Sequence, residues 1–413
     1  MKLPRFGCVL WLIVCFSLGS TGFASGLAVF SGAEGFGSAT RAGRGGSVLI
    51  VTSLADSGPG TLREALEAFG PRIILFEVGG TIKLRKDLHL RHPFVTIAGQ
   101  TAPSPGITLS GAGLRITTHD VLIQHLRFRV GDLPTGPPPG NRDAIQVLGP
   151  SASNIVIDQV STSFAIDENI SFWGGPHHVT VSNSIVSFAL RNSMHPEGPH
   201  SMGILVGDGS HNISLIGNLL AHNVERNPRI KGDSSVLVVN NLIYNGHRLM
   251  SVGSPSGPAM VSAIGNVFLR GPDTLGGINP IHIESNAASG TKVHSHDNWY
   301  NGRLFRPGAG PWVAEVPVWV QPLTIRPAYQ VPALVTRHAG ARPKERDAAD
   351  RALLMPLGGF RGRIIDRPGQ IGSLPEPLAT RRVLQIPPHP HDDSGDGYTH
   401  IETWLHRMSR DLQ

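Results

Sequence analysis

The stretch from residue 224 to residue 245 reads VERNPRIKGDSSVLVVNNLIYN. It begins with three cationic side chains, Arg226, Arg229 and Lys231, and continues into an apolar run that ends in the pair Asn240 and Asn241. A short, β-branched apolar run is typical of a buried strand, and asparagine is typical of the turn that ends one. The stretch therefore predicts a charged loop that leads into one strand of a stacked β-structure.

The same stretch resembles the pectate lyases, family 1 of the polysaccharide lyases. Their signature has an arginine, a proline two positions later and a second cation five positions later, ahead of a strand closed by two asparagines. Arg226, Pro228 and Lys231 occupy these positions, with Asn240 and Asn241 at the end of the strand. The resemblance implies an all-β, right-handed parallel β-helix that cleaves an acidic polysaccharide.

Short β-branched runs recur along the chain, and the last five of them place an asparagine at similar points. These asparagines are Asn183, Asn218, Asn241, Asn266 and Asn298. A repeat of roughly two dozen residues, lengthened where loops are inserted, indicates a solenoid whose coils stack on one another. The runs are separated by one or two polar residues and not by helices. The sequence therefore predicts a parallel β-helix. We expect the asparagines to stack at one corner and to provide its left-handed backbone.

The amino-terminal part is similar to the opening of bacterial pectate lyases, and the resemblance covers residues 28–305. The matching segments are SGAEGFG (31–37), GRGG (43–46), VTSL (51–54), DSGPGTLREAL (56–66), GGTI (79–82) and TIAGQTAP (96–103). A solenoid needs a cap, because its first coil would otherwise expose strand edges and an apolar interior to water. We expect a short capping helix over residues 61–69.

Composition divides the chain into four parts. Residues 1–24 have the charge, apolar core and small residues of a secretory signal, so we expect a secreted protein without a membrane span. Residues 25–305 form the predicted catalytic β-helix, 306–390 an irregular segment that wraps over it, and 391–413 an acidic turn with a short helix. With 50 glycines and 33 prolines, the chain suits many tight turns between short strands. Both cysteines, Cys8 and Cys15, precede the predicted cleavage site.

The charge balance is mildly positive. Lysine and arginine number 36 against 30 aspartates and glutamates, and removal of Lys2 and Arg5 with the signal leaves a formal excess of about four. Such an excess fits a polyanionic partner, although charge alone does not separate pectate from nucleic acid. The resemblance implies the polysaccharide and no nucleic acid, and we expect a monomer.

Cleavage of a galacturonan by β-elimination requires removal of the proton at C5 and stabilisation of the charge that spreads onto the carboxylate. Calcium suits the second task because it accepts many oxygen ligands in loose geometry. By resemblance, we expect Asp143, Asp167 and Glu168 to bind Ca²⁺. Asp143 and Asp167 are 24 residues apart, which is one coil, and adjacent coils lie about 5 Å apart.

The resemblance assigns proton removal to Arg226, the first residue of the signature. Because an arginine is expected to stay protonated, the base must be a transiently neutral guanidine or an assisted hydroxide. Lys231 is expected to bind a substrate carboxylate, and Arg229 to add positive potential.

The family also uses a lysine ahead of the strand that begins near Gly203, and residues 195–202 contain none. We expect His200 or His195 to contact the substrate instead. His222, at the edge of the Arg226 loop, is a further candidate for substrate binding.

The acidic turn Asp392 to Asp396 has oxygen donors at alternate positions, as the first half of an EF-hand loop does, but Thr403 stands where the final glutamate is expected. A weak calcium site and a plain turn both remain open. Two other classes of function also remain open, a polygalacturonase-type hydrolase of the same fold and a β-helix that binds polysaccharide without cleaving it.

Overall fold

The computed structural model describes residues 26–413 with the exception of Gly358 and Phe360. The predicted signal, residues 1–24, therefore lies outside the described residues. The described chain winds into a parallel β-helix whose successive coils add strands to three sheets. The fold class predicted from the repeats is confirmed.

We number the three sheets in the order in which a coil visits them. Sheet 1 has ten strands: Ser47–Val51, Arg72–Phe76, Val95–Ala98, Val121–Gln124, Ser153–Asp158, His177–Ser182, His211–Ile216, Ser234–Val239, Ala259–Ile264 and Lys292–His296. Sheet 2 has eleven: Val78–Lys83, Ile107–Ser110, Leu126–Arg129, Ser161–Ser163, Ile185–Ser187, Leu219–Ala221, Leu242–Tyr244, Val267–Leu269 and Trp299–Tyr300, with Arg303–Leu304 and Thr380–Arg381 antiparallel at its two ends. Sheet 3 has eight: Leu88–Leu90, Leu114–Ile116, Ile145–Leu148, Glu168–Trp173, Met202–Val206, Arg229–Ile230, Met250–Val252 and Ile281–Ile283.

The interior of the solenoid is filled by aligned columns of aliphatic side chains. In sheet 1 the strand register places Val121, Ile155, Val179, Ile213 and Val236 in one such column, and all five are fully buried. β-Branched residues suit this position because they pack well on a pleated surface. Each contributes roughly 1.5–3 kcal/mol by leaving water, so the column stabilises every coil against its neighbours.

A ladder of buried amides runs along the turn between sheets 1 and 2. Oδ1 of Asn241 accepts hydrogen bonds from the backbone N–H and the Nδ2 of Asn218, at 2.9 and 3.0 Å. Oδ1 of Asn266 accepts the same pair from Asn241, and Asn298 accepts it from Asn266. Each step satisfies donors that would cost about 1–3 kcal/mol if they were buried without partners.

Two details of the predicted asparagine stack are wrong. Ser184, and not Asn183, precedes Asn218 in the ladder, because its backbone N–H donates to Oδ1 of Asn218 at 2.9 Å. The left-handed backbone belongs to the residue one position earlier in each coil, namely Asn183 (φ 46°), Gly217 (φ 66°) and Asn240 (φ 54°). One residue therefore bends the chain, and the next forms the ladder.

Helix α1 (Leu62–Glu67) closes the amino-terminal end of the solenoid, as predicted. The Thr61 side chain caps it by accepting a hydrogen bond from the backbone N–H of Glu64. Its apolar face joins the main core. At its other end the buried guanidinium of Arg72 donates to the carbonyl of Leu66 at 2.7 Å, which satisfies a carbonyl that the helix leaves free.

The carboxy-terminal segment contains helices that the sequence did not predict. Helices α2 (Val331–His338) and α3 (Ala348–Leu357) pack on the outer face of sheet 2. Prolines within both helices and their short length hide the helical pattern. Short 3-10 turns accompany them and the rest of the fold: Gly99–Thr101, Pro139–Asn141, Ala328–Gln330, Pro343–Glu345 and Pro368–Ile371.

The final helix, α4 (His400–Leu412), follows the acidic turn as predicted and begins with a capping box formed by Thr399 and Glu402. In the turn, the Asp393 and Asp396 carboxylates accept hydrogen bonds from the backbone N–H groups of Gly395 and Tyr398. Within the described residues, these aspartates belong to no cluster suited to hold a metal. This geometry favours a plain turn. None of the helices in the described part of the chain has the length and apolarity to cross a membrane.

Candidate active site

A groove of about 520 Å³ lies on the outer face of sheet 3. Its floor consists of outward side chains from five consecutive coils, and two loops, near Gly140 and near Glu197, form its sides. The strand register aligns the floor residues Arg115, Gln146, Ser171, Leu205 and Arg229 in one column. Residues that are far apart in the sequence therefore meet along one line.

Three carboxylates converge in this groove. Asp143 precedes the strand Ile145–Leu148, and the strand register places Glu168 opposite it one coil later, with Asp167 directly before Glu168. One oxygen of each carboxylate lies within 4.8 Å of the others, and all three side chains are buried. The one-coil spacing in the sequence thus corresponds to proximity in space.

The carboxylate cluster suits a divalent cation. Oδ2 of Asp143 accepts a hydrogen bond from the hydroxyl of Ser171 at 2.5 Å, but its Oδ1 is buried and has no hydrogen-bond partner among the described residues. Burial and the nearby Asp167 raise the pKa of Asp143 well above its ordinary value. An all-oxygen set with an unused buried oxygen matches the preference of calcium.

Arg226 lies against this cluster. Its backbone φ is 60°, a conformation that is uncommon for residues with a side chain and concentrated at functional sites. Its guanidinium contacts the Glu168 carboxylate. The pKa of Arg226 is lowered, mainly by burial and also by the nearby Arg229. The carboxylates of Asp167 and Asp143 oppose this shift without cancelling it. A lowered pKa makes the neutral guanidine more accessible.

The two other cations of the loop, Arg229 and Lys231, differ in their interaction partners. Arg229 occupies the floor of the groove between Leu205 and Ser251, and its Nε is buried without a hydrogen-bond partner among the described residues. Lys231 is already paired: its Nζ lies 2.5 Å from Oδ2 of Asp208. Among the described residues, Lys231 thus has a carboxylate partner, whereas Arg229 has none within 4.0 Å.

His200, predicted to contact substrate, lies at the carboxylate cluster. Its Nε2 is 2.9 Å from Oδ1 of Asp167, and its ring stacks on that of His195 with centroids 3.7 Å apart. The backbone N–H of Glu197 donates to Nδ1 of His195 at 3.2 Å, so the neutral His195 ring carries its proton on Nε2. Nε2 of His195 lies 3.8 Å from Oδ1 of Asp167, which is too far for a hydrogen bond. His200 therefore hydrogen-bonds Asp167 directly, whereas His195 packs on the His200 ring and has no hydrogen bond to this carboxylate.

His222 does not reach the groove, which corrects its assignment as a substrate-binding candidate. Its side chain is fully buried under sheet 2, where it stacks on Phe188 at a centroid distance of 4.9 Å and its Nδ1 contacts the amide of Asn245 at 2.8 Å. The carboxy-terminal segment covers it, and a Cβ at Gly362 would lie 2.7 Å from its ring. The turn after Ala221 directs this ring away from sheet 3.

Sequence reasoning missed the groove residue Trp173 and also Asp208, which pairs with the groove residue Lys231. Trp173 ends the strand Glu168–Trp173 and keeps half of its surface exposed. Because side chains alternate along a strand, Trp173 shares the outer face with Ser171, and this alternation was the signal available. Asp208 follows the strand Met202–Val206, and only the fold shows that it meets Lys231.

No family model matches the chain. A curated relative from Aspergillus fumigatus, named "Probable pectate lyase C", is 32% identical over 423 residues, which cover 92% of this chain and 94% of the relative. A protein of the same name from Aspergillus flavus is 39% identical over 267 residues, covering 64% of this chain and 59% of that protein. The chain thus matches about three fifths of the second relative and nearly all of the first.

Solved structures share the fold. A pectate lyase from Bacillus sp. N165 in complex with trigalacturonate has a TM-score of 0.56 at 16% identity, over 75% of this chain and 98% of the other. The major allergen of cedar pollen, Jun a 1, has a TM-score of 0.58 at 22% identity, over 75% of this chain and 92% of the other. At these identities the likeness shows the parallel β-helix alone.

Proposed function

This chain belongs to the pectate lyase family, and on that premise we propose that it is a secreted, calcium-dependent enzyme that cleaves polygalacturonate by β-elimination. One observation carries the proposal: the guanidinium of Arg226 contacts Glu168 within the cluster that also contains Asp143 and Asp167. A base and a cation-binding set therefore adjoin the same stretch of groove.

In the elimination, the C5–H bond breaks, its electron pair forms the C4–C5 double bond, and the C4–O4 bond breaks. Arg226 in its neutral form accepts the C5 proton, and O4 leaves with a proton from solvent. Asp143, Asp167 and Glu168 would hold calcium, which when bound neutralises the uronate carboxylate as charge develops on it. Glu168 also orients Arg226, so that the base and the cation-binding set stay adjacent.

Arg229 supplies the next contact. Its position in the floor column, two strands from Ser171, allows it to pair with a carboxylate of the bound chain. Such a charge-assisted pair can be bidentate and therefore fixes the orientation of the sugar. His200 acts behind this surface by holding Asp167 in place through a hydrogen bond, and His195 supports the His200 ring by stacking on it.

Secretion rests on the sequence of residues 1–24, which has the order of a signal segment. An acidic plant polysaccharide is too large to enter a cell intact, so an exported enzyme suits this substrate. We expect the exported protein to act as a monomer.

The test measures the products formed from polygalacturonate. An increase in ultraviolet absorbance that needs added calcium, and that disappears in Arg226→Ala, supports the lyase. Arg248→Ala is the matched control, because Arg248 also faces a glutamate, Glu225 at 3.6 Å, but does not line the groove. New reducing ends without the absorbance indicate a hydrolase, and binding without either product indicates a non-catalytic protein. Both of these outcomes contradict the proposal.

A further inference from the structure

A second cluster lies at the edge of the same groove, and we name it the Trp173 subsite. It consists of Trp173, Gly207, Asp208 and Lys231. Trp173, Gly207 and Lys231 directly follow paired positions of three neighbouring strands in sheet 3, so they stand in line on consecutive coils about 5 Å apart.

The indole of Trp173 lies against the backbone of the next coil. A Cβ at Gly207 would lie 2.6 Å from Cε3 of Trp173, so a residue larger than glycine would displace the ring. Trp173 is nevertheless 50% exposed, although burial of so large an apolar ring would be favourable. An exposed aromatic ring that is held in position within a groove is typical of a surface on which a ligand packs.

The positive charge beside this ring is neutralised. Nζ of Lys231 lies 4.8 Å from the centroid of Trp173 and 2.5 Å from Oδ2 of Asp208. Oδ1 of Asp208 accepts hydrogen bonds from Ser254 Oγ at 2.6 Å and from the backbone N–H of Gly232 at 3.0 Å. Burial alone would raise the pKa of Asp208, but hydrogen bonds from Lys231 and Ser254 lower it, so the carboxylate stays charged and paired.

Arg229 and Lys231 are two residues apart on one coil, but they differ in whether their charge is paired. Arg229 has no carboxylate partner within 4.0 Å among the described residues, whereas Lys231 has one. We propose that the Trp173 subsite binds a galacturonate whose carboxyl is methyl-esterified, while Arg229 binds a free carboxylate. This inference rests on the proposed function, because it specifies the substrate of that same groove.

The Trp173 subsite should prefer the methyl ester because the ester is uncharged, whereas the free carboxylate is negative. The C–H face of a pyranose can pack on the indole. A free carboxylate at this subsite would lose hydration and approach Asp208, while the ammonium of Lys231 is already paired with Asp208. A methyl ester carries no charge and avoids both costs.

The first experiment compares initial rates of elimination, at saturating calcium, on pectins of equal length that are unesterified or partly methyl-esterified. We expect the wild-type kcat/KM to be higher on the partly esterified pectin. Asp208→Asn keeps the hydrogen-bond acceptor but frees the charge of Lys231. It should shift the ratio of kcat/KM on partly esterified pectin to kcat/KM on unesterified pectin by roughly fivefold in favour of the unesterified chain. Glu376→Gln is the matched control, because it frees Lys83 (2.8 Å away) on another face, and it should leave the ratio unchanged.

The second experiment measures binding without turnover. Arg226→Ala is titrated with hexagalacturonate and with its partly methyl-esterified form by calorimetry, and we expect tighter binding of the ester. Adding Trp173→Ala should weaken ester binding by roughly tenfold, and Trp173→Phe by less. Equal or weaker binding of the ester, or an Asp208→Asn ratio equal to that of wild type, overturns the inference. Absence of elimination on every pectin contradicts the proposed function instead, and the binding experiment still tests the subsite.

Discussion

Nε2 of His200 lies 2.9 Å from Oδ1 of Asp167, and both side chains are buried. The relationship joins a loop residue to a carboxylate of the cluster that we propose binds calcium. A donor that fixes a ligand carboxylate typically affects metal affinity, because it removes freedom that the ligand would lose on binding. We therefore expect His200 to position Asp167 for calcium binding.

Replacement of His200 tests this role. We expect His200→Ala to weaken calcium binding by roughly tenfold or more, with kcat at saturating calcium nearly unchanged. His200→Gln, which retains an N–H donor, should restore most of the affinity. Calorimetric titration with calcium measures both, and His211→Ala, an exposed histidine near Asp233, is the control. A folded His200→Ala with wild-type calcium affinity would show that the hydrogen bond has no positioning role.

Calcium should also stabilise the fold. A ligand that binds only the native state at about 100 times its Kd contributes roughly 2.7 kcal/mol, so Tm should rise when calcium is added. Asp167→Asn should lose this rise, because Asp167 belongs to the cluster. Asp393→Asn, in the carboxy-terminal turn, should retain it. Loss of the rise in Asp393→Asn, with retention in Asp167→Asn, would place the calcium site in the turn.

The amide ladder predicts a large effect of a single substitution. Asn241→Ala removes the acceptor for the backbone N–H of Asn218 and the donor to the carbonyl of Leu215. Each buried backbone group that loses its hydrogen-bond partner costs about 1–3 kcal/mol. The free energy of unfolding should therefore fall by roughly 2–4 kcal/mol. Urea denaturation measures the loss. Asn286→Ala, at an exposed position, should change it little, and an equally small loss for Asn241→Ala would contradict the ladder's importance.

The sequence predicts some of these features and not others, for physical reasons. The spacing of Asp143 and Asp167 predicts their proximity, because one coil of a β-helix has a nearly fixed length. The same periodicity cannot distinguish Asn183 from Ser184, since a shift of one residue leaves the repeat length unchanged. His222 was misassigned because proximity in sequence to Arg226 does not show which sheet a turn residue faces. The pairing of Lys231 with Asp208 depends on coil register and could be seen only in the folded chain.

The buried His222 predicts a dependence of stability on pH. Burial lowers its pKa from 6.5 to about 4. Because the folded state then binds fewer protons than the unfolded state between these values, stability is complete above about pH 6.5 and decreases as the pH falls towards 4. The contribution is roughly 3 kcal/mol. Buried His125, whose pKa is lowered to about 3, acts in the same direction.

His222→Asn isolates this contribution. Asparagine suits the left-handed backbone at this position (φ 57°), as Asn245 does one coil later (φ 52°). Urea denaturation at several pH values between 4 and 7 should give a shallower loss of stability for the variant than for the wild-type protein. Identical slopes would show that His222 is not the group that titrates.

We propose that Arg226 and the carboxylates of Asp143, Asp167 and Glu168 act on one sugar unit. The most direct measurement is a crystal structure of Arg226→Ala grown with calcium and trigalacturonate. We predict a calcium ion bound by these three carboxylates and by a uronate carboxylate, with C5 of that sugar facing the space left by the arginine side chain. A trisaccharide bound in the groove with its C5 directed away from residue 226, or calcium bound elsewhere, would show that Arg226 and the three carboxylates do not act together.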